Sequence, residues 1–158
     1  MVTSIAQLRK LQNQHEHGRF YSTLKNYTFD LFDGNSVRIP KGFKYDKASV
    51  PRFLWSLMPP SGDDTAAFLL HDYTYHLKGK IITENGSLVK ISRKRSDFLM
   101  FIYQCLLLDI NSSKIFDKNF FKRLRIVAMY IGVRIGGWYY WSDTPFEKLV
   151  KKITIWKP

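Results

Sequence analysis

The chain has 158 residues, enough to bury a core without disulfides or bound metal. Hydrophobic residues make up 45% of it, with 12 Phe, 9 Tyr and 4 Trp, which excludes a disordered or low-complexity protein. The 25 Lys and Arg against 13 Asp and Glu leave a formal charge of +12, which favours polyanionic partners and says nothing of fold.

A single cysteine, Cys105, excludes an internal disulfide and a cysteine-based zinc site. Residues 1–20 hold no apolar run of signal-peptide length. The longest greasy stretch, 126–141, contains Arg134 and is shorter than a bilayer span. These features predict a soluble chain made in a reducing cytoplasm, with release by a route that needs no classical signal left open.

In chain order, residues 1–19 read as an N-terminal arm with one weak helix, in which Ile5, Leu8 and Leu11 share a face behind a Ser4 cap. Residues 20–46 read as β-structure. Tyr27, Phe29 and Leu31 alternate with Thr28, Asp30 and Phe32, and Asp33-Gly34-Asn35 turns the chain into a second strand, 36–39. Residues 47–62 suggest a short helix opened by Pro51 and capped by Ser49. Asp63 and Asp64 then precede a helix over 65–76 with Ala66, Leu69, Leu70 and Tyr73 on its buried stripe.

Residues 79–91 predict a second hairpin about a two-residue Asn85-Gly86 turn. Ser92 caps a helix over about 93–109, apolar nearly all round and so expected to be central. A third main helix is expected from Asp117 to about Gly136, with Gly132 and Gly136 admitting another backbone. The fold class is α+β, with about three main helices packed with two small β-hairpins in a single domain. Residues 20–145 form the globular domain and 146–158 a basic C-terminal tail.

Three segments carry polar residues suited to chemistry: 42–52, 71–75 and Ser96-Asp97. His71 and Tyr75 are four apart on one helix and share a face. Asp97, on a partner helix, is placed to orient His71 through one ring nitrogen, leaving the other to take a proton from water. Asp72 and Asp46 are hard oxygen ligands of the kind a divalent cation such as calcium takes. The same spacing also arises without chemistry. Asp72 then pairs with Arg52 or Arg134, His71 is a half-buried structural histidine, and Asp46 and Ser49 serve a turn and a cap.

The ordered pattern GFxxDxASVPR, HDxxY, an Asp before an apolar helix, and Val133-Arg134-Ile135-Gly136-Gly137-Trp138 with Trp141 resembles the domain-of-unknown-function family thirteen-fifty-three of tailed phages and prophages. The resemblance spans residues 37–141, with Lys47 where that family often has Gly and Ser96 where it usually has Ala. It carries no settled activity. It implies a phage-encoded accessory protein in the cytoplasm of an infected host, acting in lysis or host takeover or as a minor virion part. The implied pocket comprises Asp46, Ser49, Arg52, His71, Asp72, Tyr75 and Asp97.

HDxxY followed by an Asp is also similar to the core of phospholipase A-two enzymes. That resemblance implies His71 as the water-activating base, Asp72 as calcium ligand, and Tyr75 and Asp97 as supports of the histidine. The Gly-rich calcium loop of those enzymes is missing here: the segment before the motif has Gly62 alone, beside Pro59-Pro60. Phosphohydrolases with a His-Asp doublet fit less well, because only His15 and His17 lie upstream.

A third reading rests on charge. Lys90, Arg93, Lys94, Arg95, Lys118, Lys122, Arg123 and Arg125 are expected to share a basic surface. Such a surface suits nucleic acid, an acidic host or phage protein, or an anionic membrane surface, and equally suits plain solvation.

Overall fold

Two antiparallel helices that exchange buried polar groups organise the core. They are α2 (Thr65–His76) and α3 (Arg93–Leu107), and α4 (Phe120–Trp141) packs against α3 while its end also meets Tyr75 of α2. A computed structural model describes residues 2–11, 13–15, 20–46, 64–109 and 120–141. The described part adds α1 (Ile5–Arg9), β1 (Asn13–His15), β2 (Tyr21–Thr23), β3 (Tyr27–Asp30), β4 (Ser36–Ile39), β5 (Lys44–Tyr45), β6 (Lys80–Ile82) and β7 (Leu88–Lys90). The architecture is α+β, as expected.

The strands form three small antiparallel sheets, ordered β1-β2-β5, β3-β4 and β6-β7. In the β3-β4 hairpin, Tyr27 faces Ile39 and Phe29 faces Val37, and all four are buried. Phe32 leaves the alternation: it adopts φ 57° at the turn and its ring is exposed. The β6-β7 loop is longer than a two-residue turn. Thr83 N–H donates to the Ser87 carbonyl, leaving Glu84-Asn85-Gly86 as the loop. Gly86 takes φ 81°, the left-handed step that closes a three-residue hairpin.

The proposed arm is partly built into the body. Ser4 and Gln7 form a capping box, and Leu8 is buried. Arg9 donates to the carbonyls of Leu107 (2.7 Å) and Leu106 (3.1 Å), capping the C-terminal end of α3 with positive charge. Asn13–His15 then joins the sheet of β2. A polar sequence hides these tertiary contacts.

Helix α2, rather than α3, is the most enclosed: Ala66, Ala67, Phe68, Leu69 and Leu70 are all buried, whereas α3 exposes Phe98 and Leu106. Asp64 does not cap α2 with its side chain. Its buried carboxylate pairs with Arg125 at 3.2 Å and accepts from Gln104 at 3.1 Å. Ser92 caps α3 as expected, accepting from Arg95 N–H. Helix α4 runs on past Gly136 to Trp141. The glycine that admits a neighbour is Gly137, whereas nothing lies within 4 Å of a Cβ built at Gly132 or Gly136. The short helix expected over 47–62, residue Asp117 and the 146–158 tail lie outside the described residues.

Candidate functional site

The buried carboxylate of Asp97 gathers groups from three helices. His71 Nε2 stands 3.1 Å from its Oδ1. The Tyr75 hydroxyl donates to the same oxygen at 2.6 Å. Arg134, from α4, donates to Oδ2 at 2.8 Å, and the Arg93 guanidinium lies 3.7 Å from it. Asp97 is fully enclosed, so these charge-assisted bonds replace its lost hydration.

Local sequence explains the convergence. The i,i+4 spacing puts His71 and Tyr75 on one face of α2, their rings 4.1 Å apart. Arg93 and Asp97 have the same spacing on α3. Between the two helices the hydroxyls of Thr74 and Ser96 are hydrogen-bonded and buried, and Thr74 also donates to the His71 carbonyl at 2.8 Å. Ser96 thus helps set how α3 faces α2. Trp141 meets Tyr75 edge-on at 4.9 Å, completing a row of rings.

Geometry assigns the histidine tautomer. A Nε2–H aimed at Asp97 leaves the Nδ1 lone pair for a proton from elsewhere. Nδ1 is 3.7 Å from Asp72 Oδ1, too long for a hydrogen bond. Asp72 Oδ2 accepts the Asp46 backbone N–H at 3.1 Å. Asp72 therefore binds the β5 end of the chain rather than Arg134, which goes to Asp97.

The electrostatics follow from these contacts. Burial pulls the His71 pKa down, but the Asp72 and Asp97 carboxylates outweigh it and hold it above the ordinary 6.5. Burial and the nearby Asp46 charge push Asp72 up to about 6. Asp97 loses by burial but gains more from His71, Tyr75 and Arg134, and ends below its ordinary 3.8. Burial and the Asp97 charge keep the Tyr75 phenol protonated, so its hydroxyl can donate to Asp97.

These shifts set a pH dependence of stability. Asp97 adds stability above its ordinary 3.8 and loses it as pH falls through its lower folded value. Asp72 acts oppositely, so its contribution fades between 3.8 and about 6. The His71 contribution is present below 6.5 and fades as pH rises through its raised folded value. Urea unfolding should show a decline from mildly acidic to alkaline pH, and Asp72→Asn should flatten its acidic portion. An unchanged profile in that variant would contradict the assignment.

Of the expected site residues, His71, Asp72, Tyr75 and Asp97 come together, with Asp46 at the edge through its amide. Ser49 and Arg52 lie outside the described residues, as does Lys118. Sequence reasoning missed Arg134, Gly137, Trp141 and Arg93 as site residues, although the four-residue step from Arg93 to Asp97 was a usable signal.

The basic surface is thinner than expected. Arg93 donates to the Val133 and Arg134 carbonyls, Arg95 to the Leu31 carbonyl and Asp33, and Arg125 to Asp64. Arg123 is half-buried, and among the described residues Lys90, Lys94 and Lys122 are the exposed members. Among the described residues no group of three or more His, Cys, Asp or Glu is arranged to hold a metal ion, and no helix is long and apolar enough to cross a membrane.

No curated protein and no solved structure matches the chain. A family model described as "Protein of unknown function (DUF1353)" matches residues 21–121. The matched span contains α2 and α3, hence His71, Asp72, Tyr75 and Asp97, and the chain belongs to this family.

Proposed function

We propose that this protein is a phage-encoded accessory hydrolase that acts during infection, with His71 as general base and an ester, lipid first, as substrate. The observation that carries the reading is the His71–Asp97 pair, supported by Tyr75 and Arg134 on the same carboxylate. Its chemistry matches what the resemblance to phospholipase A-two cores implies. The setting of infection rests on the resemblance to the phage family.

In this reading the neutral imidazole accepts a water proton at Nδ1 as the water oxygen attacks the ester carbonyl. Asp97 steadies the resulting imidazolium through Nε2–H. The imidazolium then returns the proton to the departing alkoxide as the carbon–oxygen bond breaks. Tyr75 and Arg134 position Asp97 and touch no substrate.

Calcium fits the described residues poorly. Calcium takes six to eight oxygens, and Asp46 and Asp72 bring only two carboxylates. The proton transfers above rely on the chain's own groups.

Purified protein should release acid from phospholipid or from a short-chain ester, and His71→Gln should lower that rate by about a hundredfold or more. Absence of turnover in the folded protein, or equal rates in the variant, would reject the reading. Turnover should also rise with pH through a midpoint above 6.5, because His71 must first lose its proton. Asp72→Asn should move that midpoint down by removing a carboxylate that favours the imidazolium. A midpoint that stays put would show that His71 is not the titrating base.

A further inference from the structure

Helix α4 is apolar on the side turned away from the protein as well as on the side turned toward it. Ile126, Met129, Val133 and Gly137 face the body. At 100° per residue, Leu124, Val127, Ile131 and Ile135 fall on the opposite side, with Phe121 at its margin. All five are exposed, Phe121 by 79% and Ile135 by 71%. Charged residues are absent from this stripe. Arg125 and Arg134 lie on its flanks and turn to Asp64 and Asp97. From Phe121 to Ile135 the stripe is about 21 Å long at 1.5 Å per residue. A helix apolar on both sides normally lies inside a protein, so its outer side calls for a partner.

We propose that this face of α4 docks on an anionic membrane surface, lying in the interface without crossing it. The charge of the chain argues for that partner: at +12 it is drawn to anionic headgroups. Exposed lysines stand near both ends of the helix. Lys122 is in its first turn, outside the stripe but exposed at the helix end. Lys94 follows Arg93, whose guanidinium binds the Val133 and Arg134 carbonyls near the other end. A second copy on the same face would set two +12 chains against each other. The docking is independent of His71 chemistry, because no residue of the stripe is bonded to Asp97, and Arg134, on its flank, turns inward to that carboxylate.

The test is flotation of the full chain with phosphatidylcholine vesicles, with and without phosphatidylglycerol. Binding should require the anionic lipid. The triple variant Leu124→Gln, Ile131→Gln, Ile135→Gln keeps the charge and should bind about tenfold more weakly or worse. Ile135→Gln alone, at the more exposed of these positions, should show a smaller loss with an unchanged circular dichroism melt. His71→Gln should bind as the parent does, which separates this proposal from the hydrolase reading. No partition to anionic vesicles, or equal binding by the triple variant, would overturn it. So would light scattering that shows a dimer of the parent and a monomer of the variant, because the face would then be a self-interface.

Discussion

Asp97→Ala should destabilise the protein by about 3–5 kcal/mol, the range for removing one partner from a buried ion pair. Asp97 has no solvent exposure and is the common acceptor for His71, Tyr75 and Arg134. Its removal leaves a guanidinium from α4 without its anion and a phenol without its acceptor. It also leaves a cavity between α2 and α3. Asp97→Asn keeps the volume and separates the two effects. The amide can still accept from Tyr75, but it brings no charge for Arg134. The aspartate variants should therefore rank parent, Asn, Ala in urea midpoint. A parent-like midpoint for Asp97→Ala would mean that the carboxylate does not hold the helices together.

Gly137→Ala should be the second large effect, about 1–3 kcal/mol, as expected for overpacking a tight contact. A Cβ there would run into the Tyr75 hydroxyl and press on its ring. Tyr75 would have to leave Asp97 or α4 would have to shift, and Arg134, one turn earlier, would move with it. Gly136→Ala is the control within the same helix. It meets nothing within 4 Å, and alanine is the better helix former by about 1 kcal/mol. It should be neutral or stabilising. A double variant, Gly137→Ala with Tyr75→Phe, tests the cause, because removing the hydroxyl relieves the closest contact. Equal melting of the two glycine variants would refute the packing argument.

The difference between these two glycines shows where reading the chain was sufficient and where it was not. A close approach was expected at Gly132 and Gly136 from their spacing, but the tight position is the adjacent Gly137. Spacing reports which residues share a side of a helix. It does not report which side the neighbouring helix occupies. The arginines teach the same lesson. Arg93, Arg95 and Arg125 read as surface charge, yet each guanidinium meets a carbonyl or carboxylate of the protein itself. Local composition cannot distinguish a solvated arginine from one that satisfies a buried acceptor.

Features encoded within a few residues were legible from the chain. These are the ends of α2, the Ser92 cap of α3, the β3-β4 hairpin and the shared face of His71 and Tyr75, which follow from helical and strand periods acting over one or two turns. The pairing of Asp97 with Arg134 joins positions 37 residues apart, and Arg9 reaches Leu107 across 98. Such contacts depend on how whole elements pack, and packing is a balance of many side chains with no local signature. That balance also placed Asp97 in a dry environment, where its charge must be met by partners from three helices.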